Sequence, residues 1–217
     1  MVDGRASDGG PARHVALVGL MGSGKSNVGR RLAPKVGRVF RDADDVLAER
    51  TGRSVRAWFE EDGEAAFRAA EADVLRALLD AAQPSVVACG GGVVVTGANR
   101  ERLAQPDVVV VWLRADPAFL ASRAGPKPHR PLLTGDPRTT LARLHAERAA
   151  WYAEVADVVV DVAPFHGADE ESRVNLADAV AERVRGRLSP SARSPGASPG
   201  PSPVRAADRS VASGGGT

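Results

Sequence analysis

Short apolar, β-branched runs alternate along this chain with stretches of helical period. HVALVG at 14–19 reads as a buried strand, followed by a glycine-rich turn and a helical stretch from Lys25 to about Val36, with Pro34 weakening its last turn. RVFRDAD at 38–44 predicts a short strand ending in acids, and 44–51, 54–61 and 64–82 carry helical patterns. SVVACG at 85–90 predicts a buried strand running into Gly91 and Gly92, with a short helix over 97–104. DVVVVWL at 107–113 is the strongest strand signal. Asp116-Pro117 and Asp136-Pro137 each supply an N-cap and a proline at the first helical position, the second opening a long helix to about Val155. DVVVDV at 157–162 predicts a fifth strand and 171–187 a last helix. Five strands alternating with helices predict an α/β fold: a five-stranded parallel sheet flanked by helices on both faces.

The two ends break this pattern. Residues 1–13 hold no apolar run, and 188–217 are Pro, Ser, Gly and Ala with scattered Arg. Such composition buries too little apolar surface to offset ordering entropy, so both are expected to be disordered around a folded domain at 14–187. The segment GPKPHRPLLTG at 125–135, with three prolines and two glycines, must be loop.

Charge and cysteine usage narrow the classes. The formal net charge is only +2, so no nucleic-acid footprint follows. The single cysteine, Cys89, excludes a disulfide within the chain and fits a reducing compartment. The polar N-terminus has no secretory signal pattern, and no stretch has the length of a membrane span. A cytoplasmic location, away from membranes, is expected.

The segment from Gly19 to Ser26, GLMGSGKS, fits G-x-x-x-x-G-K-[ST] between a predicted strand and a predicted helix. The glycines let backbone N–H groups wrap a phosphate, and the helix N-terminus adds a favourable field. Gly22, Ser23 and Gly24 would line that cradle, Lys25 would reach the β- and γ-phosphates, and the Ser26 hydroxyl would bind Mg²⁺. Asn27 stands where many such loops carry a second Ser or Thr, and its side chain can donate to a phosphate oxygen. The chain has no N-K-x-D guanine motif and no apolar strand ending in Asp-Glu, which argues against GTPases and large mechanical ATPases. A small-molecule kinase remains.

Several features suit an acceptor site, each with a plainer reading beside it. Asp42 and Asp44 follow the second strand, where ligands of open α/β sheets bind, and would point the same way if the strand period held. An acidic helix N-terminus capped by Asp44 or Asp45 would look the same. The glycines at 90–92 permit close approach of a ligand, or simply turn the chain. Arg68 stands four residues after Glu64 and three before Glu71, the spacing of a surface ion-pair ladder. Arg148, beside Glu147, reads equally as a solvated helix residue. Arg123 and Arg130, at and in the proline-rich loop, suit a mobile lid over ATP or an ordinary loop.

Taken in order, GLMGSGKS, D-A-D at 42–44, A-E-R-T-G-R-S at 48–54, D-G-E-x-x-F-R at 62–68 with Glu71, G-G-G at 90–92, R-P-L-L at 130–133 and E-R-x-x-x-Y at 147–152 resemble the shikimate kinase family over about residues 14–162. The resemblance implies a sheet of the nucleoside-monophosphate-kinase type and transfer of phosphate from ATP to the 3-hydroxyl of shikimate. It implies that Asp42 helps hold Mg²⁺ through water and that Asp44 binds the acceptor hydroxyl as base. It implies that Arg68 and Arg148 clamp the substrate carboxylate and that Gly91 offers its backbone to the substrate, between Gly90 and Gly92. It implies a lid whose Arg130 contacts ATP phosphates, with Arg123 near adenine, and a monomeric enzyme. Where the family usually reads E-R-x-P-L-Y, this chain reads Glu147-Arg148-Ala149-Ala150-Trp151-Tyr152, and the segment after Asp161 lacks an Arg that some members use near adenine. A related kinase for gluconate or another polyol, and a nucleotide-binding regulator without activity, are the competing readings. The joint presence of the D-x-D, F-R, glycine and R-P-L-L motifs disfavours the first, and the intact Lys25, Ser26, Asp42, Asp44, Arg68, Arg130 and Arg148 disfavour the second.

Overall fold

The computed structural model describes residues 13–122, 136–165 and 170–188. The segment with Arg123 and Arg130, expected to form a lid, lies outside the described residues, as do the two ends expected to be disordered, save for Arg13 and Leu188. The chain runs β1 (His14–Val18), α1 (Lys25–Lys35), β2 (Val39–Asp42), α2 (Ala43–Thr51), α3 (Val55–Glu61), α4 (Gly63–Leu79), β3 (Ser85–Ala88), α5 (Gly97–Leu103), β4 (Val108–Arg114), α6 (Pro117–Ser122), α7 (Pro137–Val155), β5 (Val158–Asp161), a 3-10 turn (Ala163–Phe165) and α8 (Glu170–Leu188).

The five strands form one parallel sheet in the order β2-β3-β1-β4-β5. The three central strands are apolar on both faces because both are covered: α1 and α8 pack together on one side, and α4, α5 and α7 on the other. The edge strands are less uniform; β5 alternates buried and exposed residues. After β1 the chain moves to one side of the sheet, and after β3 it returns past β1 to the other. β1 and β3 are neighbours paired Val15↔Val86 through Leu17↔Ala88, so the turns leaving their carboxyl ends flank one crevice.

Several predicted elements are shorter in the structure, most of all β2, β3 and α4. β2 stops at Asp42 rather than 44 because the Asp42 side chain accepts from the Asp44 N–H at 3.2 Å and caps α2. β3 ends at Ala88, where the chain begins its glycine turn. α4 ends at Leu79 with Asp80 as its cap. Pro34 is accommodated in the last turn of α1, one residue before the helix ends at Lys35.

The sheet is anchored at its amino end. Arg13 donates to the Arg187 carbonyl at 2.9 Å, and Arg38 donates to the Arg13 carbonyl at 2.7 Å, so α8 is tied to the entrance of β1. Among the described residues no helix is long and apolar enough to cross a membrane.

Buried His14 accepts at Nδ1 from the Ser85 N–H at 3.2 Å, and its Nε2 lies 3.2 Å from the Ala81 carbonyl. One nitrogen accepting and the other donating defines a neutral ring with its proton on Nε2. Burial holds this imidazole below its ordinary value of 6.5, outweighing the Ala81 carbonyl and Asp107. The unfolded chain therefore takes up the proton first. The contribution of His14 to stability is complete above that value and is lost as pH falls through the lower, folded one. His14→Gln, whose amide can keep both bonds, is expected to flatten this acid-side loss by up to about 1 kcal/mol per pH unit. Paired urea titrations of the two proteins at pH 7.5 and 5.5 check it.

Candidate active site

The β1–α1 turn is built for an anion. Gly19, Gly22 and Gly24 have positive φ of 140°, 86° and 93°. At Gly19 a side chain is also excluded by packing, since a Cβ would lie 2.6 Å from the Leu113 carbonyl oxygen. The helices α2, α3 and α7 begin with side-chain caps from Asp42, Ser54 and Asp136. α1 begins instead at Gly24, with no side-chain cap and no acid in its first turn. Its leading N–H groups and its dipole are thus left to a ligand. The Lys25 ammonium lies back over the turn, donating to the Gly19 and Leu20 carbonyls at 2.8 and 3.0 Å. The Ser23 hydroxyl is fully buried inside the turn with no hydrogen-bond partner.

A cavity of about 530 Å³ opens over this turn, and its walls bring most of the sequence-derived candidates together. Gly22, Ser23, Gly24, Lys25, Ser26 and Asn27 form one side, and Asp42, Asp44, Gly90 and Gly91 face them. The two acids share the cavity for a different reason from strand alternation: one ends β2 and the other lies in the first turn of α2. Asn27 accepts from Arg31 Nη1 at 2.7 Å through Oδ1, which turns its amide nitrogen the other way.

Asp44 is reached by water from the cavity, yet protein atoms crowd its carboxyl. That burial, with Asp42 and Glu71 nearby, pushes its pKa up to about 6, while Lys25 pulls against the shift. Two carboxylates held this close invite a cation. Among the described residues no group of three or more His, Cys, Asp or Glu side chains forms a metal cage. A cation here would take its remaining ligands from phosphate and water, the habit of Mg²⁺. Ser26 and Asp42 are donors of the right, hard-oxygen kind, so the residues present fit that ion.

Behind the glycine turn lies a second set of charges. Arg68 Nη1 donates to Glu71 Oε2 at 2.8 Å, and Nη2 donates to Glu64 Oε1 at 3.0 Å. The Glu64 partner belongs to an accessible ladder, but the Glu71 pair is buried, with side chains 10% and 4% exposed. Burial raises the Glu71 pKa against the pull of Arg68. The glycines explain themselves here. A Cβ at Gly90 would strike Glu71 Oε1 at 2.3 Å, and one at Gly92 would strike the Arg68 guanidinium at 2.2 Å. Arg148 is buried rather than solvated, and donates to the Gly91 carbonyl at 3.1 Å. Neither Arg68 nor Arg148 lines the cavity; both stand behind its glycine wall. The Ala150-Trp151 departure leaves α7 attached, since Trp151 stacks 5.1 Å from the guanidinium of Arg100, which grips the Val94 and Val95 carbonyls.

Four buried polar side-chain atoms among the described residues make no hydrogen bond: Ser23 Oγ, Glu71 Oε1, Arg148 Nε and Arg53 Nε. Buried polar atoms seldom go unpaired. Three of the four sit within the phosphate turn or directly behind the glycine turn, where a polar ligand would satisfy them. Sequence reasoning missed Arg173, which reaches the far end of the cavity from α8 beside Phe165 and Leu176. The segment after Asp161 has no arginine, but the first turn of α8 supplies this one.

A parallel sheet with an uncapped phosphate turn after its first strand, faced by a carboxylate across one cavity, defines a P-loop kinase. Comparison with known proteins gives the particular kind. A family model for shikimate kinase matches residues 21–179. The chain is 47% identical over 150 residues to a shikimate kinase of Paramagnetospirillum magneticum, covering 69% of this chain and 75% of the relative. It is 43% identical over 153 residues to one of Paracidovorax citrulli, covering 70% and 83%. Its fold matches the structure of the Acinetobacter baumannii shikimate kinase in complex with shikimate with a TM-score of 0.71 at 32% identity, covering 79% of this chain and 92% of that one. This chain belongs to the shikimate kinase family.

The two ends of the phosphate turn differ in what they tolerate. At Gly24 a Cβ meets nothing within 4 Å, so Gly24→Ala bears only the strain of positive φ, about 1–2 kcal/mol. Gly19→Ala adds a backbone collision and is expected to cost at least about 3 kcal/mol. Denaturant unfolding of the two variants checks the order.

Proposed function

We propose that this kinase transfers the γ-phosphate of ATP to the 3-hydroxyl of shikimate, giving shikimate 3-phosphate and ADP. The observation that carries the reading is one cavity with the phosphate turn on one wall and Asp44 on the other, backed by Arg68 and Arg148. Family membership supports the choice of acceptor.

The residues divide by chemistry. Gly22, Ser23 and Gly24 wrap the phosphates with backbone N–H groups, Lys25 pairs with their charge, and the Asn27 amide adds a donor. Ser26 and, through water, Asp42 would hold Mg²⁺, which neutralises phosphate charge when bound. Arg68 and Arg148 suit the carboxylate of shikimate, because each guanidinium can offer two parallel donors. The backbone of Gly90, Gly91 and Gly92 borders the same acceptor space. In the transfer, the 3-oxygen bonds to the γ-phosphorus as the bond to the β,γ-bridging oxygen breaks, and the hydroxyl proton passes to Asp44. Arg130 of the lid is assigned to the transferring phosphate, and Arg123 with Arg173 to the base end of the nucleotide. The proposal extends to a cytoplasmic monomer, in keeping with the buried, unpaired Cys89.

A base must be ionised to accept a proton. Because its pKa is raised to about 6, Asp44 is ionised at neutral pH and still basic enough to be useful. kcat/KM for shikimate should therefore fall tenfold per pH unit below about 6, with the limb moving to lower pH as Mg²⁺ and nucleotide saturate the site. Asp44→Asn should lower kcat by at least about a thousandfold while ATP still binds. ADP release by the purified protein with Mg-ATP and shikimate, gluconate, quinate or no acceptor tests the whole reading. Release no faster with shikimate than without it overturns the proposal.

A further inference from the structure

Tyr152 and Arg148 lie one helical turn apart on α7 and converge on a single acceptor. The Tyr152 hydroxyl donates to the Gly91 carbonyl at 2.5 Å and Arg148 Nη1 donates to the same oxygen at 3.1 Å. A carbonyl oxygen has two lone pairs, so these donors saturate it. Gly91 also backs onto the phosphate turn: a Cβ there would lie 3.2 Å from the Met21 nitrogen and 3.7 Å from the Gly19 oxygen. It is therefore where the acceptor wall meets the nucleotide wall.

Nothing about the ring itself requires a hydroxyl. Tyr152 is fully buried and stacks on Trp112 of β4 with centroids 5.6 Å apart, a contact phenylalanine would also make. Burial holds the phenol well above its ordinary pKa, so it stays a proton donor throughout the working range. Without that donor, the Gly91 carbonyl would depend on Arg148 alone. The Arg148 guanidinium, whose Nε is buried and unpartnered, would then be freer to follow the carbonyl than to wait for an incoming carboxylate.

We propose that Tyr152 is a positioning residue for the acceptor: through Gly91, its hydroxyl sets the height of the glycine turn and the aim of Arg148 relative to the phosphate turn. The inference rests on the shikimate kinase reading above and adds to it a residue that touches neither substrate. Its expected signature is selective. Tyr152→Phe raises KM for shikimate about tenfold, lowers kcat less, and leaves KM for ATP and the dissociation constant of ADP within twofold of wild type.

Trp112→Phe is the companion variant, since it weakens the packing of the same ring and keeps the hydroxyl. It should lower Tm while leaving KM for shikimate within twofold. The test is steady-state kinetics of wild type and both variants with each substrate varied, together with thermal unfolding and ADP titration. An unchanged KM for shikimate in Tyr152→Phe overturns the inference and leaves the shikimate reading intact. A parallel rise in both KM values, or an equal shift in Trp112→Phe, overturns it in favour of simple packing. Wild-type protein without shikimate-dependent ADP release overturns the shikimate reading, and the inference with it.

Discussion

The close passage of two backbone turns, one leaving β1 and one leaving β3, is the constraint on which the site depends. Parallel pairing of β1 with β3 delivers the turns side by side, and glycine keeps them there. With a Cβ at Gly19 the phosphate turn would be pushed off β4; with one at Gly90 or Gly92 the glycine turn would be pushed off Glu71 or Arg68. Close approach to a ligand is thus only half of why the glycines stand where they do. The other half is that charged side chains from α4 pass behind the turn and need its lack of side chains.

Charge is arranged in layers across those turns. Cationic Lys25 and the uncapped start of α1 face the cavity from one side, and Asp42 and Asp44 from the other. Behind the glycines the Arg68–Glu71 pair is removed from water, where breaking it by removing one partner would leave an uncompensated charge. This arrangement gives neighbouring carboxyls different characters. Asp42 is engaged as a helix cap, Glu71 is bound to an arginine, and Asp44 is left with a raised proton affinity at the open end.

The sheet was legible because parallel strands covered on both faces must read as near-continuous apolar runs rich in valine, as 15–18, 86–88 and 108–113 do. Strand ends were less so, because they depend on side-chain bonds that no periodicity reveals: the Asp42 cap turned a predicted strand into the start of α2. The phosphate turn was plain from its spacing. The arginines were ambiguous, since a helical ladder and a buried clamp share the same i,i+4 spacing, and Arg68 in fact takes part in a ladder with Glu64 and a buried pair with Glu71. Arg173 left no signal, lying on a helix with no motif around it. Tyr152 was visible only as the last letter of a family pattern, because its role depends on a carbonyl some sixty positions away.

The tie between Arg13 and the Arg187 carbonyl has a consequence for the two ends of the sheet. It brings the start of β1 and the last turn of α8 together at the amino end of β1, while the ligand cavity lies beyond its carboxyl end, about 17 Å away along the strand. Arg13 and Arg187 therefore meet at the end of the sheet opposite the mouth of the cavity. The bond between strand and helix thus closes the domain at one end of the sheet and leaves the other end to the ligands.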